Sequence, residues 1–125
     1  MHAAQLEAYR DALKTTMSGR EVEASVLIKA ALMLKNCQAK WDSENCNTKL
    51  EEALKFNQLI WSIFQGELTK ADNQLPKRLR EDILSLAAFI DKRIFDIMAY
   101  PSPEKLTSII NINLNIAAGL RGSPK

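Results

Sequence analysis

The run from Leu50 to Leu68, LEEALKFNQLIWSIFQGEL, leaves little choice of fold. At about 100° per residue, Leu50, Leu54, Asn57, Trp61, Phe64 and Leu68 share one side of a helix, and Ala53, Phe56, Ile60 and Ile63 widen that side. The polar side is narrow: Glu51, Glu52, Lys55, Gln58, Ser62 and Gln65. An apolar arc this wide, with one tryptophan and two phenylalanines, needs cover from several other helices. Asn57 falls in its middle. An unpartnered buried carboxamide costs about 1–3 kcal/mol, so Asn57 must hydrogen-bond across the core or touch a ligand.

The rest of the chain supplies the cover. A weak stripe over residues 3 to 14 (Ala4, Leu6, Ala8, Tyr9, Ala12, Leu13) predicts a short helix that frays or docks loosely. Ser18 and Glu21 have the spacing of a capping box and open a long helix reaching Trp41 or beyond. Its inward side is Val22, Val26, Ala30, Met33, Cys37 and Trp41, helped by Leu27, Ala31 and Leu34. The polar residues 42 to 47 break the period, and Thr48 with Glu51 forms a second capping box for the central helix. That helix should end near Thr69. Pro76 suits the first turn of the next, whose inward residues are Leu79, Ile83, Leu86, Ala87, Ile90, Ile94, Ile97 and Met98. Phe89 and Phe95 lie off this stripe and either thicken the core, the favoured reading, or mark a surface patch.

Ser102, as N-cap, and Pro103 start a final helix with Leu106, Ile109, Ile110, Asn113, Ile116, Ala117 and Leu120 inward, ended by Gly119 or Gly122. No charge occurs from Leu106 to Leu120, which implies burial on most sides, cover by a partner, or self-association. Asn113 sits mid-stripe as Asn57 does, so the two carboxamides are expected to pair and fix the packing register. The expected fold is all-α, a single-domain antiparallel bundle of about five helices over residues 1–125, with a C-terminal tail from 121 to 125.

Composition narrows the chemistry. Seventeen basic and fifteen acidic side chains, net +2, are mixed along the chain, so no strong field points to nucleic acid or anionic lipid. His2 is the only histidine, which speaks against Ser-His-Asp, Cys-His and multi-His zinc sites. No glycine-rich phosphate loop exists. The expectation is no enzyme activity, no cofactor and no metal. The charged N-terminus does not read as a secretory signal and no run is long enough to span a bilayer, so the expected compartment is the cytoplasm, with Cys37 and Cys46 as reduced thiols. The basic residues Lys77, Arg78 and Arg80, with Lys92 and Arg93 about four turns on, are the residues an RNA-binding alternative would use.

Arg20 to Ala24, Asn57 to Phe64, Asn73 to Pro76 and Ile110 to Gly122, in this order and spacing, resemble the FlaF family of flagellar biosynthesis regulators. The resemblance implies a cytoplasmic protein needed for flagellin production and export, acting with the translational regulator FlbT and engaging flagellin as a secretion chaperone would. A small helical protein with apolar surface to spare could hold an amphipathic helical end of flagellin in a groove. Trp61, Phe64, Ile112 and Leu114 are the candidates to line it, against the reading of each as a plain core residue, which helical-spaced apolar side chains usually are.

Overall fold

The computed structural model describes residues 19–73 and 75–122. They form four α-helices: α1 (Arg20–Ala39), α2 (Cys46–Leu68), α3 (Lys77–Ala99) and α4 (Leu106–Gly122), with a single 3-10 turn at Pro103–Lys105 leading into α4. The helix expected over residues 3 to 14 lies outside the described residues, as does Ser18, so four helices stand where about five were expected.

The helix starts differ from their sequence signals for local reasons. Gly19 is the N-cap of α1, extended and with no side-chain cap bond, and Glu21 reaches Arg121 instead. The start of α2 precedes Thr48. The amide of Cys46 bonds Ser43 O at 3.2 Å and that of Lys49 bonds Asn45 O at 3.1 Å, so Thr48 is already helical and Glu51 pairs with Lys55. Residues 42 to 47 therefore contain the start of the helix they were expected to precede. Pro76 is the N-cap of α3 and Lys77 its first residue: ψ of 144° keeps the proline extended while its carbonyl accepts the Arg80 amide at 3.0 Å. Asn73 shapes this turn, accepting from the Leu75 amide and donating to Glu67 O. At the other end, α4 runs through Arg121 to Gly122, where a tail was expected.

The helix directions follow from bonds between their ends. Gln38, late in α1, donates to Pro103 O and Thr107 Oγ1 at 2.9 Å, while Arg121, late in α4, donates to Glu21 Oε1 at 3.1 Å. So α1 and α4 are antiparallel, and they make the most extensive helix pair. Ala24, Ala30 and Ala31 on α1, all fully buried, leave room for that close approach. This shifts the centre of the α1 contact to Leu27 and Leu34, which are 0% exposed, and leaves Val22, Met33 and Trp41 only half-buried. α2 packs against α1 and α3, and every inward residue expected of it is buried. One contiguous core joins the four helices. Each Leu or Ile sealed there contributes about 1.5–3 kcal/mol from removal of apolar surface from water.

Along α3 the expected stripe divides. Ile83, Ala87, Ile90, Ile94 and Ile97 are buried, Leu79 and Leu86 are half-buried, and Met98 is exposed. Phe89 and Phe95 do not thicken the core: they are 40% and 71% exposed. Helix α3 packs mainly on α2 and touches α4 less, so a side chain well off the Ile83–Ile97 line meets no second wall.

Candidate functional site

Two arrangements stand out, one inside the bundle and one on it. Inside, Asn113 Nδ2 of α4 donates to Asn57 Oδ1 of α2 at 2.6 Å. Asn57 Nδ2 donates in turn to Ala30 O of α1 at 3.2 Å and to Ala53 O at 2.8 Å, and the Trp61 indole donates to Asn113 Oδ1 at 2.9 Å. Both carboxamides are 0% exposed. The chain thus runs through three helices and answers the polar groups that an apolar core would otherwise penalise.

Trp61 and Phe64 belong to this interior. They are 1% and 3% exposed, with ring centroids 5.8 Å apart. Neither lines a surface groove, because α2 is walled by α1 on one side and α3 on the other. Ile112 and Leu114 are half-buried against the core. They flank an outward strip of α4 made of Thr107, Asn111, Asn115 and Ala118, which is exposed and carries no charge.

Large exposed apolar side chains lie along the second half of α3 and at its C-cap. Phe95 is 71% exposed, Tyr100 72%, Met98 44% and Phe89 40%, whereas Leu32 of α1 stands apart. Cations accompany them. The Arg93 guanidinium lies 5.5 Å from the Phe89 ring centre and the Lys105 ammonium 5.6 Å from that of Tyr100. Arg93 and Lys105 also converge on Asp96, at 3.8 and 3.1 Å. The sequence did carry a signal for this patch: Phe95 shares a helix side with Lys77, Glu81, Ala88 and Lys92, all solvent-type positions.

Lys77, Arg78 and Lys92 are exposed, and Arg80 and Arg93 are half-buried. Glu81 and Asp82 are exposed between the two groups, so these five cations do not merge into one unbroken basic strip.

Three titratable groups are buried elsewhere among the described residues. Glu23 sits at the start of α1, where burial, reinforced by the charge of Glu67, raises its carboxyl above the ordinary value, while Arg20 at 3.2 Å opposes the rise. Cys37 and Cys46 are free and buried, and burial pushes the Cys37 thiol up. A thiol held protonated in this way is a poor nucleophile.

A family model described as flagellar protein FlaF matches residues 5–120. No curated protein and no solved structure matches the chain. The matched span covers the first three helices, all but the last two residues of α4 and both halves of the Asn57–Asn113 pair, and the chain belongs to the flagellar protein FlaF family.

Proposed function

We propose that this protein is a non-enzymatic flagellar regulator that binds flagellin as a secretion chaperone would and, together with FlbT, couples flagellin synthesis to its export. Family membership supports the flagellar part of this reading. The observation that carries the rest is the exposed apolar surface on α3, where Phe95 and Tyr100 stand more than two-thirds in solvent. Large apolar side chains exposed along one helix mark a site for another macromolecule. Shielding the sticky ends of flagellin from premature polymerisation requires such a surface and no reactive group. No helix of the described residues is long and apolar enough to cross a membrane, and the proposed place of action is the cytoplasm. The test is size-exclusion chromatography of the purified protein with flagellin monomers. A stoichiometric complex is expected, with free protein run alone to detect self-association. Failure to co-elute at low and moderate salt would remove the chaperone reading.

One observation favours a second reading, RNA binding. Phe89 and Tyr100 are exposed with Arg93 and Lys105 over their rings, a pairing that also suits stacked bases. Salt separates the two: phosphate-driven binding falls steeply as salt rises, and binding through apolar burial hardly moves. Changing Lys77, Arg78 and Arg80 to Glu is expected to leave flagellin translation intact, and its loss would favour RNA.

A further inference from the structure

We propose that the outward side of α3 from Leu84 to Tyr100 is the docking surface, and that its occupant is an amphipathic helix bringing a carboxylate to Lys92. This rests on the reading that the chain holds another polypeptide. Leu84, Ala88, Phe95 and Met98 follow at intervals of four, seven and three residues, which places them in one row along the helix. Leu84 is half-buried and the other three are exposed. Ala88 is a gap between two large side chains, the shape that receives a side chain from a facing helix. From Leu84 to Met98 the row extends about 21 Å at 1.5 Å per residue, enough for about four turns of an occupant.

Charge decides what kind of helix fits. Asp96 is already answered within the chain by Arg93 and Lys105. Lys92, three residues before Phe95, is exposed and enters none of the ion pairs found among the described residues. An occupant that covers Phe95 also strips water from that ammonium, which is costly unless a carboxylate replaces the water. Asp91, half-buried on the other flank beside Met98, asks for a cation on the opposite edge and so sets the direction in which the occupant lies. A phosphate backbone fits less well, because Glu81, Asp91 and Asp96 stand along the same helix.

Labelled, purified flagellin titrated with the full chain tests this. Phe95→Asp should weaken binding at least about tenfold, as loss of a central aromatic anchor does. Lys92→Glu should weaken it about fivefold and remove what salt dependence the wild type has. Leu32→Asp, at another exposed apolar site, on α1, should stay within about twofold, inside the range of a contact at the edge of an interface or outside it. Helix content by circular dichroism accompanies each variant, and both tested side chains are exposed, so unchanged folds are expected. If wild type binds flagellin while F95D and K92E bind equally well, this surface is overturned and the flagellin reading stands. If wild type does not bind, both fall. A single-stranded RNA oligonucleotide whose binding F95D abolishes, with flagellin unaffected, overturns the helix occupant in favour of nucleic acid.

Discussion

Asn113 holds together two groups that cannot reach water, the indole N–H of Trp61 and the side-chain oxygen of Asn57. Asn113→Leu orphans both, at about 1–3 kcal/mol each, so a loss of roughly 3 kcal/mol in urea unfolding is expected. Adding Trp61→Phe in that background should cost less than Trp61→Phe alone, since the indole donor is then already unpaired; equal costs in the two backgrounds would show that the bond contributes nothing. This pairing was legible in the sequence because each carboxamide falls in the middle of an apolar stripe, where a buried amide must find a partner. The third member was not. Nothing in the residue pattern says that Trp61 turns its N–H to Asn113, and a large aromatic reads equally well as an anchor for a partner.

Glu23 makes a prediction with a definite sign. Its folded carboxyl is raised above the ordinary carboxylate range, chiefly by burial, so the folded state holds the proton more tightly than the unfolded chain. The stabilisation this gives is present below the unfolded value and is lost as pH rises through the folded one. Compared with Glu23→Gln, wild type should therefore lose ground between acidic and neutral pH, seen as a wild-type urea midpoint that falls relative to that of the variant. A wild-type advantage that grows with pH would mean that Arg20 outweighs burial.

At the scale of the element, α2 holds an avoidable weakness. Gly66 is exposed within the helix, its backbone is not left-handed, and a Cβ built on it meets nothing within 4 Å. Gly66→Ala should raise stability by about 0.5–1 kcal/mol through helix propensity alone. A loss in thermal or urea unfolding would reveal a contact at that face. The inward side of α2 could be read from periodicity because its arc is so wide that any surrounding bundle buries it. Phe89 and Phe95 could not, since burial depends on whether a second wall exists beyond the stripe, and that depends on where α4 lies. Helix starts were ambiguous for another reason: Ser43, Asn45 and Thr48 are all able to cap, and the backbone chose the earliest turn that left Cys46 and Leu50 facing inward.

For the whole molecule, mixed charge and a filled core leave function to the surface, and the surface is uneven. Helix α4 shows an uncharged strip, and α3 shows aromatic rings with cations across two of them. Sequence alone placed both helices and most of their inward residues, but not the exposure of Phe89, Phe95 and Met98. Family membership places the chain among flagellar proteins. The most direct test is a titration of purified flagellin monomers with the full chain at two salt concentrations, read by size exclusion. A stoichiometric complex that persists with little change at the higher salt is expected from apolar holding of a helical segment. Absence of a complex at either salt would contradict it.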